Sequence, residues 1–432
     1  MLNRRRFVAS TSTALLAAPF AKVRAAGESK APVRLAVIGV ADRGAENLKG
    51  VATESIVALC EIDEPRAVKA RADFPKAQFF TDYRAMLDKV GKGIDAVVVS
   101  TPDHTHAHAT LSALALGKHV YCEKPLCHTV GEVRRVMKVA AEKKVITQMG
   151  TQIHAGDNYR RVVEIVQAGK LGAVKRVHVW CSRRPDPGRV MKSPVDKLKF
   201  DLDKWLGPVP EDFFYAGHLN WPHFHWRWWW PFGGGVLADM GCHFTDLPFW
   251  ALGLGSPNTV KATGTELANA DNTVPQTLRV DYTFPATKTR AGVELTWYHG
   301  VPGPDSDGKV RFAGFNDGVL FEGEGGKKLI ADYSKYRLLP DEFAKDFKAP
   351  DATIPKSVGH HKEWLDAIRG AGKPLCPFGY SGPLTEAVLL GNVSYRAGGA
   401  ELKWDGDKGA TDSKEANAFL GIEPRKGWEW PA

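Results

Sequence analysis

Between residues 33 and 150 the chain keeps switching between two periods. Short, unbroken apolar runs occupy 33–40, 56–60, 94–99, 119–121 and 145–149. Between them lie segments with helical spacing of apolar residues, at 43–51, 64–73, 83–90, 104–116 and 130–143. A strand that is apolar at every position must be covered on both faces, and the interleaved helices supply that cover. The pattern predicts an α/β fold: a doubly wound parallel sheet over residues 31–150. Few other folds accommodate so regular an alternation.

The first strand-to-helix turn reads Gly39-Val40-Ala41-Asp42-Arg43-Gly44. It is a near match to the dinucleotide-binding fingerprint, with Ala41 where the backbone must approach a pyrophosphate. Gly39 permits the tight turn, Gly44 permits close helix packing, and the helix opening at Arg43 offers free N–H groups to phosphate. The turn follows a strand and opens a helix, which is the context the motif requires. The second strand ends near Glu61, at the spacing expected for an acid on a ribose 2′-hydroxyl. A carboxylate there favours NAD, while Arg66 nearby keeps NADP open.

Two further segments carry a resemblance. The fourth strand ends in Ser100-Thr101-Pro102-Asp103-His104, and the fifth runs into Glu123-Lys124-Pro125. Far downstream stands Gly233-Gly234-Gly235-Val236-Leu237-Ala238-Asp239-Met240-Gly241-Cys242-His243. Together with the glycine turn, these segments resemble the glucose-fructose oxidoreductase / inositol dehydrogenase (Gfo/Idh/MocA) family, in family order, over about residues 33–400. The overall style is similar to a secreted subgroup with a twin-arginine signal. The resemblance implies Lys124 and His243 near the reacting carbon, assisted by Asp239. It also implies a cis Lys124–Pro125 bond, and it places Thr101, Pro102, His104 and Glu123 with the turn residues as cofactor-binding. The chemistry is consistent with these types. Histidine is a natural base near neutrality, a lysine N–H can steady a developing alkoxide, and Asp239 and His243 at i and i+4 share one helix face.

After residue 150 the pattern changes. A helix is expected at 157–168, then alternating runs at 174–181, 260–266, 277–284, 292–298, 318–322 and 328–332. Such alternation predicts a half-exposed, mostly antiparallel open sheet, with a hairpin turn at Asn316-Asp317-Gly318. Helices at 360–369 and 384–396 close an α+β domain over 151–432, which in the family binds substrate and pairs subunits into a homo-oligomer. The stretch 180–232 is rich in Trp and Arg, five of the chain's 13 Trp lying in 221–230. Aromatic faces suit sugar rings, so Arg227, His225 and Tyr215 are expected at the substrate. A local aromatic core is the competing reading. His154 is expected to be structural.

The first 25 residues hold Arg4, Arg5, Arg6, Lys22 and Arg24 and no acid. A charged start, a short apolar stretch and Val23-Arg24-Ala25 describe a signal peptide, and paired Arg before x-Phe resembles a twin-arginine signal. That implies export in folded form by the twin-arginine machinery to the periplasm, with no stable membrane anchor. Without this leader the net charge falls from +9 to +4, with 53 basic against 49 acidic residues. A chain so nearly balanced gives no reason to expect nucleic-acid binding. The six Cys show no CxxC pair or zinc spacing, so free thiols and no metal are expected. The leading expectation is an exported NAD(P)-dependent oxidoreductase moving a hydride between a tightly bound nicotinamide and a sugar, sugar derivative or glycoside. The alternatives are an NAD-dependent enzyme that cleaves glycosides by transient oxidation and elimination, and a non-catalytic periplasmic sugar-binding protein.

Overall fold

The computed structural model describes residues 31–185, 200–210, 223–265, 273–301 and 314–431. The leader and Tyr215 lie outside these residues.

The first sheet consists of β1 (Arg34–Ile38), β2 (Ser55–Cys60), β3 (Gln78–Phe80), β4 (Ala96–Val99), β5 (His119–Cys122) and β6 (Thr147–Met149). All are parallel, in the order β3-β2-β1-β4-β5-β6. The chain therefore reverses direction across the sheet between β1 and β4, and a crevice opens there at the carboxyl ends of the strands. Connecting helices are α1 (Arg43–Gly50), α2 (Val68–Asp73), α3 (Tyr83–Val90), α4 (Asp103–Ala115) and α5 (Val130–Lys143). β4 is Ala-Val-Val-Val and buried throughout, as a strand between two helix layers must be. α5 starts at a reciprocal cap between Thr129 and Glu132, which satisfies two otherwise orphan N–H groups. The three-residue strand β3 is absent from the sequence reading because so short a run, Gln-Phe-Phe, carries no period.

The second domain has α6 (Asp157–Gln167), α7 (Leu202–Leu206), α8 (Gly235–Phe244), α9 (Asp246–Leu252), α10 (Asp341–Lys345), α11 (His360–Ile368), α12 (Phe378–Arg396) and α13 (Lys414–Asn417). Its strands are β7 (Arg176–Cys181), β8 (Thr259–Thr265), β9 (Thr277–Phe284), β10 (Val293–His299), β11 (Gly318–Glu322), β12 (Lys328–Ala331), β13 (Tyr336–Leu339), β14 (Leu402–Asp405) and β15 (Ala410–Thr411). They form one nine-stranded sheet, β13-β12-β11-β7-β10-β9-β8-β14-β15. Every pairing is antiparallel except β10 with β7.

Two expectations need correction. Asn316-Asp317-Gly318 does not turn a hairpin: β10 and β11 lie on opposite sides of β7, and the Asp317 carboxylate instead accepts the Ser182 N–H at 2.5 Å. Nor is the whole sheet half-exposed. β8 and β9 alternate as expected, but β7, β10 and β11 are buried almost throughout. Their inward residues, such as Val177, Leu295 and Phe321, join the main core. Their outward residues Trp180, Tyr298 and Leu320 pack with Phe315 and Ile330 into a second apolar layer. α12 starts six residues earlier than its sequence suggests, because Pro383 sits inside it.

The sheets divide near residue 150, but the helix layers do not. Trp364 and Leu365 of α11 are buried in the core of the first domain beside Val33, Leu35 and Leu48.

Candidate active site

A cavity of about 750 Å³ opens at the carboxyl ends of β1, β2, β4 and β5 and is closed by residues of the second domain. At one end lies the glycine turn. Gly39 has φ of +78°, and a Cβ there would sit 2.6 Å from the Ser100 carbonyl oxygen, so only glycine fits. A Cβ on Gly44 would collide with the Gly39 carbonyl. Ala41 and Arg43 face the cavity with Gly39, whereas Gly44 is buried behind them. Glu61 closes this end: its carboxylate accepts the Val40 N–H at 3.2 Å and the Asp63 N–H at 3.3 Å. Burial raises its pKa, opposed by those two amides and by Arg66. Arg66 itself is engaged, at 2.5 Å from Asp42 and 2.7 Å from the His223 ring. A 2′-phosphate would have to displace Asp42, so the cradle fits NAD better than NADP. Thr101 and Pro102 line the middle of the cavity, and Thr101 Oγ1 is buried there with no hydrogen-bond partner. Such an orphaned hydroxyl is what a bound dinucleotide would satisfy.

His104 departs from the expectation. It is fully buried away from the cavity, its Nε2 2.7 Å from the Trp205 carbonyl and its ring against Trp205 and Phe232. Two residues along a helix point to nearly opposite sides, and it is His106 that faces the cavity. Its ring nitrogens lie 2.8 Å from the Pro125 carbonyl and 2.7 Å from the Thr101 carbonyl. It thereby ties the β4–α4 turn to the cis Lys124–Pro125 peptide.

At the other end, Lys124 meets α8. Its Nζ donates to Asp239 Oδ1 at 2.7 Å and to the Asp239 carbonyl at 2.9 Å. Arg183 donates to Asp239 Oδ2 at 3.1 Å and Arg227 Nε to Oδ1 at 3.3 Å. Burial alone would raise the Asp239 pKa, but Lys124, Arg227 and Arg183 outweigh it and hold the carboxyl well below the usual range. His243, one turn further on, is half-buried and lines the cavity. Burial and then the charge of Lys124 push its pKa down to about 3, so the imidazole is neutral at ordinary pH. Its Nδ1 has no partner. Glu123 is not a free base: its Oε1 accepts from Asn47 at 2.9 Å and from Gln152 at 2.7 Å.

Arg227 faces the cavity as expected, but His225 does not. It opens a short 3₁₀ turn and packs edge-on against Phe224. His223, two positions earlier, is the cavity residue. The Trp-rich stretch resolves mainly in favour of the aromatic core: Trp205, Trp226, Trp229 and Phe232 pack together with Leu206 and Val209. Trp205 and Trp226 also present surface to the cavity.

The sequence singled out neither Asp103 nor Tyr333, both of which line the site, and offered Arg183 only as one of the arginines of the Trp-rich stretch. Asp103 opens α4 and is fully buried. Burial, opposed by Lys124 and Arg227, leaves its pKa at about 7. Cys122 and Cys242 are buried thiols whose pKa burial raises, that of Cys242 to about 12. Among the described residues one group has ligand-like spacing: His154, Asp246 and Cys376. There His154 Nδ1 lies 2.9 Å from Asp246, a gap one proton bridges, and Tyr380 donates to the same carboxylate at 2.7 Å. His154 is thus structural.

Comparison with known proteins places these features. Residues 33–151 match the Gfo/Idh/MocA oxidoreductase family's NAD-binding Rossmann fold, and residues 212–312 match the family's C-terminal domain. Inositol 2-dehydrogenase 1 of Saccharopolyspora erythraea is 34% identical over 189 residues, 40% of this chain and 54% of that one. The chain thus spans about half the length of the curated relatives it matches. Among solved structures, the WlbA dehydrogenase from Bordetella pertussis, in complex with NADH and UDP-GlcNAcA, superposes with a TM-score of 0.61 at 16% identity, over 87% of this chain and 99% of that one. An inositol dehydrogenase homolog from Azotobacter vinelandii, complexed with NADH and myo-inositol, superposes with a TM-score of 0.58 at 16% identity, over 87% and 98%. At that identity they speak for the fold. With both of its domains matched in order, the chain belongs to the Gfo/Idh/MocA oxidoreductase family.

Proposed function

We propose that this protein oxidises a CH–OH group of a sugar, sugar derivative or glycoside with NAD that stays resident in the cavity. We also propose that it acts in the periplasm, after twin-arginine export in folded form. The observation that carries the first reading is the meeting of Lys124, Asp239 and His243, from two domains, at one end of a cavity whose other end is a dinucleotide turn. NAD, when bound, supplies the hydride acceptor. The protein's own part is to take the hydroxyl proton and steady the oxygen. Neutral His243, half-buried and lining the cavity, is the group placed to take that proton. Lys124 has one N–H left after its two bonds to Asp239, and it donates this to the reacting oxygen. Asp239 orients Lys124 and does not itself act as base, since both its oxygens are already held by cations.

The periplasm holds no free NAD pool, so a resident cofactor must be reoxidised by a second substrate or by the same one. Absorbance at 340 nm, followed without added nucleotide while sugars are supplied singly, tests this. A stoichiometric rise that His243→Ala abolishes is the expected result. Protein that carries no nucleotide and binds none on addition defeats the reading. Replacing Arg4 and Arg5 by Lys should keep the protein in the cytoplasm on cell fractionation.

Asp103 favours a second reading, glycoside cleavage by transient oxidation. The cavity holds two carboxyls whose pKa values are driven apart, Asp239 far down and Asp103 to about 7. Asp103 is the group suited to exchange a proton during elimination. Release of aglycone without net reduction of NAD would identify that chemistry.

A further inference from the structure

We infer that the substrate is a sugar acid, whose carboxylate is bound between Arg183 and Arg227. The inference rests on the carbohydrate reading above and adds the charge of the substrate. Its basis is an imbalance. Three cations converge on one carboxylate: Lys124 at 2.7 Å, Arg183 at 3.1 Å and Arg227 at 3.3 Å from Asp239. Two other acids lie nearby. Glu123, held by Asn47 and Gln152, feels the charge of Lys124, and Asp103 is only partly ionised at neutral pH. Arg183 and Arg227 therefore share a single carboxylate, that of Asp239. Beside Arg227 the wall is aromatic, Trp226 and Phe224, and beside His243 it is Tyr333.

The two arginines are also arranged to bind something more. Arg183 spends a single N–H on Asp239, and its side chain is 53% exposed, at the mouth of the site. Arg227 spends Nε on Asp239 and one terminal nitrogen on the Phe224 carbonyl. Its guanidinium lies 4.2 Å from the Trp226 ring centre and 4.7 Å from that of Phe224, which fixes the direction of its remaining donors. Planar guanidinium forks match carboxylate oxygens in pairs. Asp239 already shows that a carboxylate is what these groups hold. A neutral polyol would leave the two arginines sharing the one Asp239 carboxylate, whereas a uronate or aldonate adds a second anion while presenting its carbinols to Lys124 and His243.

The test is binding to the NADH-loaded full chain, read by calorimetry. Glucuronate, galacturonate and gluconate are titrated beside their uncharged partners glucose, galactose and glucitol, with glucose 6-phosphate as the competing anion. At least one acid should bind about tenfold or more tightly than its partner. Arg183→Gln and Arg227→Gln should each reduce that preference to about threefold or less, and Arg227→Lys, which keeps the charge but not the fork, should retain part of it. Thermal melts confirm that the variants are folded. The inference is overturned if no acid outbinds its neutral partner, if the preference survives both Gln substitutions, or if glucose 6-phosphate outbinds every carboxylate. Selective binding of an acid that never reduces NAD would sink the oxidoreductase reading and leave the carboxylate site standing. Oxidation of neutral sugars with no preference for acids would do the reverse.

Discussion

At the dinucleotide end of the cavity, recognition is built from backbone: a glycine turn, the opening of α1 and one carboxylate at the end of β2. At the other end, where we propose that the substrate binds, the cavity is lined by charged side chains, Lys124, Arg183, Arg227, Asp239, His243 and Asp103, brought by separate segments of two domains. The first kind of site is encoded over some twenty neighbouring residues. The second exists only when the whole chain is folded. The contrast implies that the two ends can be damaged independently.

Lys124→Met should make the largest difference, lowering turnover by about 10³ with NADH affinity changed by less than about twofold. Gly39→Ala should do the opposite. It forces a Cβ against the Ser100 carbonyl at positive φ and should cost about tenfold or more in NADH affinity. Fluorescence titration with NADH beside steady-state rates checks both, and a substitution that abolished both properties together would break the contrast. Asp239→Ala leaves three cations facing each other in a largely buried site. Chemical denaturation should show a loss of about 3–5 kcal/mol, far more than for the exposed pair of Lys69 and Asp73. Glu61→Ala should lower NAD affinity roughly tenfold while leaving NADP affinity nearly unchanged.

The smallest effect concerns Asp103. Its folded pKa of about 7 lies above the ordinary 3.8, so the folded state binds more protons between those values. The stability this group contributes at low pH is lost as pH rises from 3.8 through 7. Asp103→Asn should therefore melt about 2–4 °C above the parent at pH 8, with the gap closing as pH falls toward 4. A gap that stayed constant with pH would mean that Asp103 does not titrate in this range.

The same contrast governs what could be read from the sequence. α3 and α5 were legible to the residue, because their apolar periodicity and flanking cap residues are local signals. The glycine turn was legible because its conformational demand excludes other residues. His104 was misread in place of His106 because both stand in one helix, and only the packing of α4 against Trp205 and Phe232 decides which one turns inward. His225 and His223 repeat that ambiguity in the Trp-rich stretch. Arg183, Asp103 and Tyr333 were invisible as a group, since nothing in their spacing announces that β7, α4 and the turn after β12 end at one point. β3 and β15, of three and two residues, are too short to carry a period at all.

The crossing of α11 back to the first domain has a consequence in time. Arg369 grips Glu54 across 315 residues, Glu54 in turn accepts the N–H of Val33 just before β1, and Trp364 completes the core beneath that strand. Nearer the end of the chain, Trp428 packs against His108 and lies under Arg84. At ribosomal speed, the gap between making β1 and making its covering helix is roughly a quarter of a minute to a minute. During that interval the nucleotide domain stands with one apolar side uncovered, a surface for chaperones to hold. The domain first in the sequence is among the last to be finished, and the core under its dinucleotide cradle is complete only after α11 has been made.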